Sequence, residues 1–558
     1  MYCFYIYIEA IRMCGETMKL ILYNGKIKSE DSKFYEAIFI NNEYIEAIGT
    51  NEEILQLRDN ETKIMDMEGR LVLPGFNDSH MHLLLVGYNY SQIDYGNTKS
   101  IKEAIEKSKT FISDKSFING QWIQCFGWNE ENWEEKRTLT RYDLDQISDK
   151  TPIVAIRVCT HTCALNTPAL ELLGYNKGTD FKYPEEVITD GNNMPTGLVH
   201  EMLPEVFENM PRASVKDIKK MLLNVTKIAS EKGITSVQTD DFECIPGHCM
   251  VEIAEAYKEL AENDQLPVRV YEQCRILNQD MYDKFVGNGF TAGMGNDIFR
   301  LGPLKTFCDG SLGSRTAWLK EPYADNPETT GISCYRTKEL YKLVERAHLD
   351  EMSVAIHCIG DAAAEQAVSV IESVIDKYPD KNVRHGIIHA QILTDELIKR
   401  ISKSKIIAYL QPVFIEYDMH IAESRIGRKR LENSYNYRKL FDNNICIPFG
   451  TDSPVEDFAP VNNLYCVTTG KDFNGEPKEG WHKEKCLTLD EALKCYSEYS
   501  AYASFCEDRK GKLLPGYLSD ITVMNEDLYE IKSEDIKNAE VYMTIMNGKI
   551  RYKKHNQF

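Results

Sequence analysis

No stretch of this chain approaches the roughly 18 consecutive apolar residues that a membrane-crossing helix requires. Basic charge is scarce: 65 Lys+Arg against 86 Asp+Glu leave a formal net charge of −21 over 558 residues. Nucleic acids and anionic membranes call for a basic footprint, so both are excluded as the main partner. Cysteine is thin for a stapled scaffold, with 16 residues and no regular spacing, which points to a reducing compartment and away from a disulfide framework. A Gly-rich phosphate turn is missing after the first central strand, where the sequence reads FNDSHMH. That counts against a doubly wound dinucleotide fold. What is present is ordinary globular chemistry, 43 % hydrophobic and 27 % charged, in a length worth about three to four domains. An enzyme-sized cytoplasmic protein is the expectation.

Residues 1–17 carry a short apolar run that Glu9 follows at once, with neither a basic start nor a small-residue cleavage site. They read as an extension ahead of a first strand at Met18, not as a secretory signal. From there KLILYNGKI, EAIFINNEYIEAIG and GRLVLPGF are short β-rich runs broken by Asn-Gly, Asn-Asn and Gly, the pattern of hairpins. The far end repeats the style in GYLSDITVM and AEVYMTIMNGKIRY, and the tetrapeptide Asn-Gly-Lys-Ile occurs at both 24–27 and 547–550. The two ends are expected to complete one small β-sandwich domain, residues 18–75 and 506–558.

Between them the pattern becomes strand-then-helix. Strands are predicted at 76–82, 234–240, 267–273, 301–308, 353–359, 386–391, 406–413 and 445–452, with amphipathic helices following several of them. Thr488 with Glu491 forms a capping-box signal opening one helix. Eight apolar strands alternating with helices predict an α/β fold, a (β/α)8 TIM barrel over 76–505. One βα unit needs about 31 residues, and the stretch between His82 and Ile234 is far longer. An inserted lobe at about 90–210 is placed there, after the first strand, as a lid or substrate wall.

Histidine is rare, twelve in all, and unevenly placed. His80 and His82 sit two apart at the end of the first strand, so period-two geometry points both the same way. His357 ends the fifth predicted strand, His389 the sixth and Asp452 the eighth, while Lys305 lies in the fourth. A single His at a strand end is most often a hydrogen-bonded core group, and Asp452 alone could cap a helix. A buried Lys is costly unless paired or chemically used. Together these residues occupy the strand ends where barrel catalysis is carried out, and imidazole is the commonest metal ligand. A metal site is the reading that covers all six.

PGFNDSHMH, DGSLGSRTAWL, IHCIGDAA, IIHAQ, GTDSPV and GKLLPGYLSDITVM, in this order from about residue 69 to 525, resemble the motif series of the amidohydrolase superfamily. The branch they are most similar to is amidohydrolase family 3, which includes N-substituted formamide deformylases. The resemblance implies a centre of one or two divalent ions, zinc by preference. His80, His82 and Asp452 would hold one ion, His357 and His389 the second, and Lys305 would be carboxylated to a bridging carbamate. It also implies metal-activated hydroxide attacking a polarised carbonyl, with Asp452 moving the proton to the leaving nitrogen. The expected reaction is hydrolysis of an amide-type C–N bond, N-formyl or cyclic amides included, in a small molecule. Deamination or imide-ring opening on the same centre is the alternative among enzymes, disfavoured by Lys305, and a non-catalytic scaffold is the alternative outside them. A homodimer is a family-level expectation. Ile388 stands where the family has Glu, and Ala362 where it often has Arg; both departures bear on substrate and not on the metals.

His161, with Asn166, resembles a family pair and is read as a catalytic donor that orients substrate or stabilises an oxyanion. Trp128 is a candidate pocket wall beside the more ordinary role of packing anchor. Arg315 could clamp a substrate carboxylate or brace the loop after Lys305. His385 is a nearby imidazole that could rival His389.

Overall fold

The computed structural model describes residues 18–30, 33–113, 122–158, 162–179, 187–200, 206, 209–210, 212–247 and 250–554. The chain divides into two compact units. One comprises the segments up to Leu83, Thr226–Asp241 and Leu260 onward; the other comprises Leu84–Val225 and Phe242–Glu259.

The first unit holds a parallel sheet whose strands run in chain order: Phe76–Met81, Ile234–Thr239, Arg269–Arg275, Phe299–Phe307, Val354–Cys358, Gly386–His389 and Ile407–Tyr409. The first two are buried at every position, as strands covered on both faces must be. An eighth segment, 445–452, closes the ring. Leu410 bridges Phe449 in parallel, Gly450 N donates to Leu410 O at 2.9 Å, Ser79 N donates to Phe449 O at 2.9 Å, and Asp452 N donates to His80 O at 2.8 Å. The result is a TIM barrel.

Its helices carry their own start and stop chemistry. Thr394 accepts from Leu397 N to open Asp395–Lys403, with Asp395 and Glu396 in the first turn and Arg400 and Lys403 in the last, the arrangement the helix dipole favours. Thr488 and Glu491 form the capping box read from sequence. The helix it opens is not continuous: a π-turn at Cys495–Tyr499 separates Leu489–Lys494 from Ser500–Ala503.

The same unit holds two further sheets. Four strands pair in the order Tyr44–Gly49, Ala37–Asn41, Lys19–Tyr23, Lys63–Asp66. Six pair in the order Lys549–Lys553, Val541–Met546, Ile521–Met524, Leu71–Pro74, Lys26–Glu30, Lys33–Tyr35. N- and C-terminal strands meet where Val72 lies opposite Val523 and Leu73 opposite Thr522. One core joins Leu20, Leu22, Ile38 and Val72 from the beginning of the chain to Ile521, Val523, Met543 and Ile545 from its end. The repeated Asn-Gly-Lys-Ile has two uses. At 547–548 both residues have positive φ and turn a hairpin; a Cβ on Gly548 would lie 1.8 Å from Asn42 O. At 24–25 the same dipeptide instead carries the chain from one sheet to the other.

The second unit contains a six-stranded sheet: Val187–Thr189, Pro195–His200, Thr162–Leu165, Ile153–Arg157, Ile123–Trp128 and Ile93–Asp94. Trp128, Trp133, Ile153 and Ala164 belong to its core. Among the described residues, no helix is long and apolar enough to cross a membrane.

Candidate metal centre

Four imidazoles converge at the C-terminal ends of the barrel strands, and each has one nitrogen committed to an oxygen behind it. His80 Nδ1 donates to Gln273 Oε1 at 2.6 Å, and Gln273 Nε2 donates in turn to Ser79 O at 3.0 Å, which orients the amide. His82 Nδ1 donates to Asp240 O at 3.0 Å. His389 Nδ1 donates to Gln411 Oε1 at 2.8 Å, and His357 Nε2 donates to Gly310 O at 3.2 Å. A carbonyl oxygen accepts only from a protonated nitrogen, so each ring presents its bare nitrogen to the others.

Those bare nitrogens crowd together. His389 Nε2 and His357 Nδ1 are 2.9 Å apart. His82 Nε2 is 3.1 Å and His80 Nε2 3.4 Å from Asp452 Oδ1, and His389 Nε2 is 4.0 Å from Asp452 Oδ2. The ligand atoms of His80, His389 and Asp452 all lie within 4.8 Å of one another. Lys305 Nζ is 3.3 Å from His80 Nε2, fully buried, with no carboxylate in ion-pair range among the described residues. Facing lone pairs, a carboxylate and an amine that would gain from losing its charge form a donor set a divalent cation fits.

The electrostatics follow from burial. Burial, reinforced by Lys305, holds the His80 imidazole well below its ordinary value, and burial with His389 does the same to His357. His389 is pushed down to about 4, mainly by burial, and Lys305 to about 8 by burial against the pull of Asp240 and Asp452. Burial opposes ionisation of Asp452, yet the neighbouring imidazoles of His82, His80 and His389 take its carboxyl far below the usual range. Burial alone would lower His82, but the carboxylates of Asp452 and Asp240 beside it together outweigh burial and move it up.

Backbone strain sits on the same residues. His389, Ala390 and Asp452 have φ of 75°, 46° and 57°, each worth about 1–3 kcal/mol of strain in a non-glycine residue. Strands one and eight approach so closely that a Cβ on Gly450 would stand 2.4 Å from His80 N. Buried Asp78 ties them, accepting from Thr451 Oγ1 at 2.7 Å, Thr451 N at 3.2 Å and His80 N at 3.1 Å; burial pushes its carboxyl up to about 7.

A model of the amidohydrolase family matches residues 63–552. The chain belongs to the amidohydrolase family. YtcJ of Bacillus subtilis (strain 168) is 30 % identical over 96 % of this chain and 100 % of its own. N-substituted formamide deformylase of Arthrobacter pascens is 22 % identical over 96 % of this chain and 98 % of its own. The solved structure of a metal-dependent hydrolase from Pyrococcus furiosus superimposes with a TM-score of 0.74 at 28 % identity, covering 91 % of this chain and 99 % of that one. The amidohydrolase is therefore a metal-dependent hydrolase built on a TIM barrel.

Three expected site residues fare differently. Trp128 is completely buried in the core of the second unit, stacked on Trp133 with its indole N–H donated to Ala155 O at 2.9 Å; it packs and offers no wall to a ligand. Arg315 forms a bidentate pair with Asp325 at 3.0 and 2.9 Å, and Arg425 shares that carboxylate, so Arg315 braces the loop after Lys305. His161 lies outside the described residues. His385 is no rival to His389: it accepts from Val354 N and bonds His348. Gln273, Gln411 and Asp78 went unread, because a lone amide or carboxylate in a strand carries no spacing signal until its partner strand is known. Asp309, in the turn after the fourth strand, accepts from Trp318 N, Ile359 N and Gly360 N and fixes the loops after His357 and Lys305.

Proposed function

We propose that this amidohydrolase hydrolyses an amide-type C–N bond of a small molecule at a centre held by His80, His82, Lys305 as its carbamate, His357, His389 and Asp452, with zinc as the resident ion. The observation that carries the reading is the set of four imidazoles, each locked by an oxygen behind it, turned inward on one carboxylate and one buried lysine. A divalent ion bound there supplies Lewis acidity and makes water acidic enough to give hydroxide near neutral pH. Asp452 takes the proton from the attacking water at Oδ2, the oxygen less engaged by His80 and His82, and returns it to the leaving nitrogen. The outward hydrogen bonds keep the rings in one tautomer while this happens.

A narrow cleft opens beside His389, lined among others by Phe414, Tyr435 and Tyr437. Gln391 Oε1 and Asn436 Nδ2 line it too, buried and without hydrogen-bond partners. An acceptor and a donor left open between aromatic rings match the N–H and C=O of an amide attached to an apolar group.

The test is elemental analysis of protein purified without chelator or a metal-affinity column, beside Lys305→Ala, followed by a screen of amides and N-formyl amines. About two divalent ions per chain, falling in the variant, with release of amine from a screened substrate, is the expected result. One ion insensitive to Lys305→Ala overturns the carbamate bridge. Absence of metal, with none taken up on incubation, overturns the catalytic reading.

A further inference from the structure

At the N-terminal ends of barrel strands one, three and four lies a second, small cavity, walled by Asn77, Arg269, Arg300, Cys506, Arg509 and Lys510. Its charges do not balance. Arg269 is answered by Asp520 at 2.7 and 3.0 Å and Arg509 by Asp297 at 2.7 Å. Arg300 and Lys510 have no carboxylate within ion-pair range among the described residues; Lys510 Nζ, buried, meets only the neutral Ser236 Oγ at 2.8 Å. An uncompensated buried cation such as Lys510 is costly, so an anion belongs here beside it and the half-buried Arg300.

The atom they surround is the sulfur of Cys506. Arg300 donates to it at 3.2 Å and Arg509 at 3.7 Å. The turn that follows brings Arg509 and Lys510 back over it, both donating their backbone N–H to Cys506 O. Among the described residues the acceptor for a thiol proton is Ser504 O at 3.2 Å, which already accepts from Arg300. A second observation points to an incoming group. Asn77 is 97 % buried by its 3 % exposure, faces the same cavity, and has no partner on either amide atom; Gln238 Oε1, also lining it, has none either.

We propose that Cys506 is a modification site: a thiolate held by Arg300, Arg509 and Lys510, which hydrogen peroxide entering the cavity oxidises to sulfenate. The sulfur attacks one peroxide oxygen, the S–O bond forms and the O–O bond breaks, and hydroxide leaves. Hydroxide takes the sulfenic proton, giving water. Sulfur loses two electrons and peroxide gains them. The single negative charge stays on the same guanidinium groups, while the open amides of Asn77 and Gln238 receive a small polar reactant. Burial alone would push this thiol up, but Lys510, Arg300 and Arg509 outweigh it and hold Cys506 below its ordinary value. Burial pushes Cys274, Cys446 and Cys495 the other way. Of the other charges at the cavity, Arg269 is answered by Asp520 and Asp297 is held by Arg509; burial pushes Lys510 down to about 8 and keeps the Tyr271 phenol neutral.

The experiment is iodoacetamide pulse-labelling of the native, metal-loaded, full-length enzyme from pH 5.5 to 9, with the Cys506 peptide quantified by mass spectrometry, and a parallel peroxide treatment trapped with dimedone. The expected result is a Cys506 rate that is half-maximal below the free-thiol value of about 8.5, and a dimedone adduct on Cys506 before any other cysteine. Arg300→Met shifts that midpoint upward. The proposal is overturned if Cys506 labels only after denaturation, if its midpoint lies at or above about 8.5, or if exposed Cys334 forms the adduct first.

Discussion

At the scale of single residues, the centre depends as much on what stands behind the imidazoles as on the imidazoles. Gln273 and Gln411 accept the Nδ1 protons of His80 and His389, and loss of such an outer partner typically costs 10–100-fold in metal affinity. Gln411→Leu is expected to weaken metal binding by about that factor while leaving the fold intact, checked by competitive metal titration beside circular dichroism. Gly450 is a steric requirement. Its absent Cβ leaves room for His80 N, 2.4 Å from where that carbon would stand. Gly450→Ala forces strands one and eight apart, and an overpacking cost of about 1–3 kcal/mol in urea unfolding is expected, together with reduced metal content. An unchanged midpoint would show that the strands can shift without strain.

At the scale of elements, barrel strand three is anchored to the terminal sheets by a buried ion pair. Arg269 reaches Asp520 through two hydrogen bonds, and both side chains are almost completely covered. Burial alone would raise Asp520, but Arg269 holds its carboxyl below the ordinary value. The sign follows directly. The folded chain releases this proton more readily than the unfolded chain, so the pair's contribution is complete above the unfolded value of about 3.9 and is lost as pH falls through the folded value. Asp520→Asn is expected to cost about 3–5 kcal/mol at pH 7, since one partner is left charged and buried. That difference should shrink below pH 4, which urea unfolding at the two pH values measures. The strand ends carry their own cost: the left-handed backbone at His389 and Asp452 is tolerated because hydrogen bonds on both sides over-determine it.

At the scale of the molecule, the unit that contains the barrel is completed by strands from both ends of the chain. Leu71–Pro74 pairs with Ile521–Met524 across nearly 450 residues of sequence. A chain ending at residue 515 would lose three strands of the six-stranded sheet and leave Val72 and Leu73 on an open apolar edge. It is expected to accumulate as insoluble protein with no cooperative melting transition, as sedimentation and calorimetry would show. The formal charge of −21 belongs to this scale also: it governs association and solubility and says nothing of which bond is cut.

The sequence by itself determined the architecture and which rare side chains stand at the ends of the barrel strands. Eight apolar runs of strand length separated by amphipathic segments leave few folds other than a barrel. His80 and His82 share a direction because the strand period is two, a local property that survives any tertiary arrangement. The tertiary structure decided what depends on atoms distant in sequence. Gln273 becomes the partner of His80 only when strand three lies beside strand one. Trp128, legible as a large aromatic in a polar lobe, became core because Trp133 and Ala155 O close over it. Arg315 became a brace because Asp325 stands opposite. Asp78 and Gly450 read as an ordinary carboxylate and an ordinary glycine until closure of the ring sets them against His80. Period and hydrophobicity are carried by neighbouring residues, whereas hydrogen-bond partnership and close approach are properties of pairs that only folding brings together.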